Sequence, residues 1–464
     1  MPIVLVKKPF FQYNIQVKAT SIQIIEILKK AGHESYWAGG CVRDMLLGIE
    51  PKDFDIVTSA KPDEIEDLLE HTIPIGKKFG VILAIVNEHH FEIATFRSDA
   101  GYSDGRRPDA VEFTNAEQDA ERRDFTINGI FYDPQEDRIL DYVGGQKDME
   151  EKLVRFIGDP EERILEDHLR ILRAVRFKNT YNLQYHPDTY QAIKKHVNLI
   201  KNISKERVKD ELNKMIMSQV PGQAFEELFE IGALDLIIPE LGKLKGLAQP
   251  LQYHTEGDVW DHSILALNSL TQEEVDPNPL PEAPPTIALK WATLLHDIGK
   301  FDTFSEDAER IRYDQHAEVG SEISKKILKG LNFPKKTIDR VFWLIRHHMM
   351  VVPLFEMPDK RKKHWFLEPG FEELLEVYRA DAMGIIPLDL SAYEGLKKLY
   401  RHEIAKLKLM PKQLITGDEV MKLTDLKPGK EVGEILKTIR QKQIEGDIKT
   451  SKDAKQFVKK STRV

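Results

Sequence analysis

Asp53 and Asp55 flank Phe54 in the run KDFDIVT, and at strand spacing both carboxylates point to one face while Phe54 points to the other. Such a pair can hold divalent metal. Magnesium bridging nucleotide phosphates needs few protein carboxylates, because phosphates and waters fill its remaining octahedral positions. Upstream, Gly39 and Gly40 follow the apolar-aromatic run Tyr36, Trp37, Ala38, and CVRDMLLG then reads as a helix. A glycine turn opening onto a helix N-terminus presents N–H groups to phosphate, and Arg43 in the first turn could fork onto a triphosphate. The chemistry that suits these residues is metal-assisted nucleotidyl transfer, with one cation activating a hydroxyl and another the leaving pyrophosphate.

Other residues could complete such a site. Glu92 in FEIATFR is a candidate third carboxylate, on a strand that can lie beside Asp53 and Asp55. Arg97 lies five positions on, hence on the opposite face of a regular strand, and is not counted as catalytic. In RRDFTING, Arg122 and Arg123 can grip phosphates, while Asp124 and Asn128 can hydrogen-bond a ribose or fix the turn. In EDHLRILRAVRF, Asp167 and Arg170 are three apart on a predicted helix and could pair, or jointly face the Watson–Crick edge of an incoming base. Arg173 continues that face, whereas by Arg176 the three-residue step has drifted about half way round the helix.

These blocks, together with DYVGG at 141–145, occur in an order and spacing that resembles the class II tRNA nucleotidyltransferase and bacterial poly(A) polymerase family over essentially the whole chain. The resemblance implies a catalytic head in which Asp53 and Asp55 hold Mg2+ with Glu92 assisting. It implies sugar and triphosphate contacts from RRDFTING, and a protein template for CTP and ATP from Asp167 and Arg170. The expected reaction is addition of CMP and AMP to the tRNA 3′ end, with the acceptor stem and 3′ end as partner. Addition of A alone, or poly(A) synthesis, keeps the same chemistry with a different product. One position departs from the family pattern: Gly129 stands where alanine is usual.

A second constellation lies further on. His262 in GDVWDHSILAL, His296 and Asp297 in LLHDIGK, and Asp381 in YRADAMG form an H…HD…D series that resembles the HD metal-dependent phosphohydrolase superfamily. Imidazole and carboxylate ligands from separate helices can hold a divalent transition metal with a position open to water. His316, with His347 or His348, could complete a second site, and Lys300 could meet a phosphate. A reading of a different class makes the chain chiefly a phosphohydrolase with an RNA-binding head. The paired Asp53 and Asp55 speak against it, since a binding module needs no metal carboxylates.

The elements that must position these residues follow from the rest of the chain. Its 464 residues, 41% hydrophobic and 31% charged, suit a large cytoplasmic enzyme of several units. No apolar run of membrane-spanning length or signal-type N-terminus is read, and the single cysteine, Cys41, excludes an internal disulfide framework and reads as a packed small residue. Short β-rich runs over 1–160 predict a mixed α/β nucleotidyltransferase head. An all-α neck is expected over 161–245, an HD domain over 246–402 and a helical tRNA-binding region over 403–464, with the five prolines of 271–287 in an exposed loop. Net charge is −9, yet residues 430–464 hold ten Lys or Arg against five Asp or Glu, a balance of +5, and 201–214 is lysine-rich. Such local basic surface can hold RNA phosphates.

Overall fold

The structure is a computed structural model that describes residues 8–101, 105, 110–250, 254–271, 280, 285–307, 311–408 and 413–461. Most of residues 102–109 (YSDGRRPD), and of the proline-rich stretch 271–287, lies outside the described residues. The chain divides into two compact units, Met1–Ile237 and Ile238–Val464.

The first unit is built on a mixed sheet, as expected of the head. Its strands are β1 (Ser35–Ala38), β2 (Ile56–Thr58), β3 (Thr72–Gly76), β4 (Val81–Val86), β5 (His89–Thr95), β8 (Ile130–Asp133) and β9 (Arg138–Asp141); β6 (Arg97–Ala100) and β7 (Ala110–Phe113) pair separately as a hairpin. The order β3-β4-β5-β2-β1-β8-β9 places β1 and β2 centrally, and only the β2–β5 pairing is parallel. All four residues of β1 are buried, which explains its apolar run without alternation. One sheet face packs Tyr36, Phe96 and Phe131 with ring centroids 6.1–6.5 Å apart. The other seats Trp37 against Phe54, and the indole Nε1 donates to Ser21 of the Lys8–Lys30 helix. Asn87 and Glu88 both adopt positive φ in the two-residue turn joining β4 to β5, the geometry that matches strand twist.

The rest of this unit is helical apart from a short parallel pairing of Leu153–Val154 with Gln184–Tyr185. Pro160–Glu166 starts at Asp159, whose side chain accepts from the Glu161 and Glu162 backbone N–H groups, and Pro160 stands at the first helical position. The Arg170–Thr180, Pro187–His196, Lys205–Ile216 and Pro221–Glu230 helices follow. EDHLRILRAVRF is therefore not one helix, because Asp167 has extended backbone after the first helix and the next begins at Arg170.

In the second unit the Val259–Ser269, Ile287–Leu295, His316–Gly330, Lys335–His347 and Phe371–Met383 helices pack together. Gly299 and Gly320 let two backbones touch: a Cβ on Gly299 would stand 2.1 Å from the His316 carbonyl oxygen. Residue 403, the expected start of the last region, lies inside the continuous Ser391–Lys408 helix. Gly417–Thr424, Lys430–Glu445 and Ser451–Ser461 then enclose a small core of Ile415, Val420, Val432, Ile439, Ile448, Ala454 and Val458. Among the described residues no helix is long and apolar enough to cross a membrane.

Candidate nucleotide and metal sites

Asp53 and Asp55 lie in extended chain that enters β2, where the Asp55 carbonyl accepts from the Ala38 N–H. Phe54 turns inward as their alternation requires. Ile56 pairs with Ile93 in parallel register, which sets Glu92 beside Asp55. Partial burial, then the charges of Asp53 and Glu92, push the Asp55 carboxyl up to about 6. Like charges gathered this way suit a divalent cation. Groups of three candidate ligands within 4.8 Å occur, among the described residues, only in the second unit, so the head triad is the looser set.

A cleft of about 690 Å3 opens beside these acids, lined by Gly39, Gly40, Arg43, Asp53, Asp55, Arg122, Arg123, Asp124, Asn128, Asp167, Arg170, Arg173 and Arg176. Gly39 has φ 70°, a conformation that glycine adopts without strain, and the space beside its Cα is limited by Arg123 Nη1. The Gly40–Leu46 helix has seven residues, so guanidiniums, more than a helix dipole, carry the positive charge here.

Several expected roles change. Arg43 is buried and braced, donating to Asp44, to Asn128 Oδ1 at 2.7 Å and to the Tyr181 hydroxyl. It supports the cleft and is not free to fork onto a triphosphate. Asp124 fixes the turn: it accepts from Asn128 Nδ2 at 3.0 Å and pairs with Arg173 at 2.6 Å. Burial works against its charge, but Arg173 and Asn128 outweigh it and hold the carboxyl at about 2. Asp167 and Arg170 do not pair with each other. Arg207 grips Asp167 through both oxygens at 3.0 and 2.7 Å, while Arg170 pairs with Glu166 at 2.5 Å. The helix break between them separates the two groups while leaving both in the cleft wall. Arg176 also lines the cleft despite the drift of its face. The Phe177 ring lies under Arg43, Arg173 and Arg176 at 4.2–5.2 Å from each guanidinium carbon.

Arg97, Asp99, Phe177, Arg207 and Lys214 line the same cleft and were not among the expected site residues. Regular alternation places Arg97 on the far strand face, but β5 ends at Thr95 and Phe96 interrupts the alternation before β6. Arg207 and Lys214 belong to the lysine-rich stretch 201–214, the one sequence signal that pointed to them. Cys41 is buried and donates to the Ala38 carbonyl, and burial pushes its thiol up to about 12, as suits a packing residue.

In the second unit two triads of candidate metal ligands adjoin: His262, His296 and Asp381, and Asp297, His316 and His348. Nε2 of His262 lies 3.2 Å from Nε2 of His296, and Nε2 of His316 lies 3.2 Å from Nε2 of His348. Asp297 joins the groups, with one oxygen 3.2 Å from His296 and the other 3.5 Å from His316. Nδ1 of His296, His316 and His348 faces the carbonyls of Thr293, Tyr313 and Ile345 at 2.7–2.8 Å, so each Nε2 presents its lone pair inward. Facing lone pairs repel unless a cation or proton lies between them, so the donor set fits divalent metal. Burial opposes charge on His296, but Asp297 and Asp381 prevail and push it up to about 10; burial and neighbouring imidazoles hold His348 at about 4.

His348, not His347, is the ligand candidate. The His347 ring packs 5.1 Å from both Trp343 and Trp365, because the Lys335–His347 helix ends there and the next residue turns inward. Lys300 is bound to Asp297 at 2.7 Å and to Gln249 at 2.9 Å, although it lines a cavity of about 510 Å3 over the cluster. Glu256 stands behind His262, its Oε1 3.3 Å from Nδ1.

Known proteins resemble the chain in sequence and fold. Residues 35–155 match the Poly A polymerase head domain, 182–244 the probable RNA- and SrmB-binding site of polymerase A, and 259–382 the HD domain. An A-adding tRNA nucleotidyltransferase of Deinococcus radiodurans is 31% identical over 434 residues, spanning 91% of this chain and 94% of that protein. The chain belongs to the tRNA nucleotidyltransferase family. A CCA-adding enzyme of Bacillus subtilis is 34% identical over 60% of this chain, and the match spans 64% of that relative, less than two thirds of its length. In fold, the crystal structure of the Bacillus stearothermophilus CCA-adding enzyme in complex with CTP is similar, with a TM-score of 0.64 and 24% identity over 97% of this chain and 98% of that one.

Proposed function

We propose that the chain adds CMP and AMP to the 3′ end of tRNA, completing and repairing the CCA terminus in the cytoplasm. The observation that carries this reading is the cleft that gathers Asp53 and Asp55 with a row of arginines. Mg2+ held by Asp53 and Asp55, with Glu92 beside them, would supply activation of the RNA hydroxyl and charge neutralisation at the phosphates. The 3′-hydroxyl gives up its proton to water, its oxygen bonds to the α-phosphorus of the nucleotide, the bond from that phosphorus to the bridging oxygen breaks, and pyrophosphate leaves. Arg122 and Arg123 face the triphosphate and stabilise charge on its oxygens, with Arg173 set beside them by Asp124. Gly39, without a side chain, lets Arg123 Nη1 lie close against its backbone. Asp167 and Arg170, presented from the break between two helices, offer an acceptor and donors to the base edge of CTP or ATP. The lysine-rich neck and the basic 430–464 segment bind tRNA phosphates.

The second unit serves as an HD phosphohydrolase, with His262, His296, Asp297, His316, His348 and Asp381 as ligands of a divalent transition metal. Bound metal would supply an activated water for phosphoester hydrolysis, which links to the cleaning of damaged tRNA ends. Head, neck, HD and C-terminal regions thus divide the work. A second reading, addition of A alone, draws on the relative that matches nearly the full length.

Asp53→Ala tests the division. Nucleotide incorporation should fall by at least ~100-fold while metal-dependent phosphoesterase activity stays at the parent rate. Retention of incorporation would remove Asp53 from the site, and loss of both activities would end the independence of the two centres.

A further inference from the structure

Asp119 lies on the Ala116–Glu121 helix and is fully buried. Its position, three and four residues before Arg122 and Arg123, puts it within reach of both on one helical face. Oδ1 accepts from Arg122 Nε at 3.0 Å, from Arg122 Nη2 at 2.7 Å and from the Arg97 backbone N–H at 3.2 Å. Oδ2 accepts from Arg123 Nε at 3.2 Å and Nη2 at 3.0 Å. Each guanidinium is gripped along its Nε–Nη2 edge, while Nη1 of Arg123 lies beside Gly39 and donates to the Asn128 carbonyl at 3.4 Å, and Nη1 of Arg122 lies 3.7 Å from the Asp99 carboxylate. A buried acid between two phosphate-facing arginines would be wasteful if only net positive charge mattered, since it cancels part of that charge. What it supplies is direction: both forks are held in place before a ligand arrives. Burial works against the Asp119 charge, but Arg123 and Arg122 outweigh it and hold the carboxyl below the usual range.

We propose that Asp119 is a positioning residue for the nucleotide triphosphate, orienting Arg122 and Arg123 toward its phosphates without touching the nucleotide. The inference rests on the transfer reading given above. It concerns only how the phosphate grip is organised.

The test compares Asp119→Asn with the parent in the full chain, with CTP and ATP as nucleotides and tRNA ending before CCA as acceptor. The Michaelis constant for each nucleotide should rise ~10- to 100-fold, as expected when charge-assisted contacts are misdirected. That for tRNA, and the melting temperature of the second unit, should stay put. In an Arg122→Ala, Arg123→Ala background the same substitution should change the nucleotide constant less than about twofold, because nothing remains to orient. This background also removes the guanidinium charges that Asp119→Asn leaves buried and unpaired, so it reads the coupling even if the single variant folds poorly. An unchanged nucleotide constant, equal losses for nucleotide and tRNA, or full additivity in the double background would each overturn the proposal. CTP binding by calorimetry separates the two layers. Affinity that depends on Asp119 in a protein that incorporates nothing keeps the positioning role and sinks the transfer reading.

Discussion

At the residue scale, Gly129 shows how one missing methyl group is absorbed. A Cβ there would stand 2.7 Å from Val143 Cγ2 and 3.0 Å from Ile157 Cδ1. Its backbone, φ −93° and ψ 8°, is open to any residue, so the constraint is space and not conformation. We expect Gly129→Ala to destabilise by about 1 kcal/mol, overpacking outweighing the gain from a stiffer unfolded chain. Thermal melting checks this, with Val143→Ala expected to rescue; equal or higher stability of the single variant would refute the packing account. Lys290 is a second case. It is 4% exposed on the Ile287–Leu295 helix, and burial pushes its amine down to about 8 from 10.5. The folded state therefore holds the proton less tightly than the unfolded one, and stability should rise as pH goes from about 8 to 10.5. Lys290→Met should stabilise by about 1–2 kcal/mol at pH 7, after allowance for screening by nearby water, and by less at pH 10. Denaturant melts at both values decide it.

At the element scale, what was legible in the sequence depended on how local the cause was. The turn at Gly39–Gly40, the paired aspartates entering β2 and the strand that carries Glu92 are set within a few residues, and all stand where their spacing puts them. Arg97 stands on another face, and Asp167 and Arg170 take other ion-pair partners, for one reason: regular geometry does not carry through a break. Phe96 ends the alternation of β5, and Asp167 leaves one helix before Arg170 starts the next. Nothing in single-residue propensity marks either break, because tertiary pairing makes them, Asp167 with Arg207 and Phe96 within the sheet core. The choice between His347 and His348 was likewise open until the end of the Lys335–His347 helix fixed which ring turns inward. Loops matter at the HD cluster too. Glu256 accepts from the Ile386 N–H at 3.1 Å and from His254 at 2.6 Å, tying the chain before His262 to the chain after Asp381. Glu256→Gln should weaken Ni2+ binding ~10- to 100-fold by calorimetry, and an unchanged affinity would show that His262 needs no such support.

At the scale of the whole molecule, a net charge of −9 coexists with a proposed RNA partner because charge is sorted along the chain. Arginines line the cleft beside Asp53 and Asp55, and the last 35 residues carry an excess of +5, ten basic against five acidic. Incorporation should therefore weaken steeply with salt through tRNA binding, while hydrolysis of a small phosphoester by the second unit should respond little. Equal salt slopes for the two activities would contradict this separation. The most direct test of the central claim is incorporation of labelled CTP and ATP, separately and together, into tRNA ending before CCA, after C and after CC, with Mg2+ present. Ordered addition of two C and then one A is the expected result, and no incorporation on any of the three ends would contradict it.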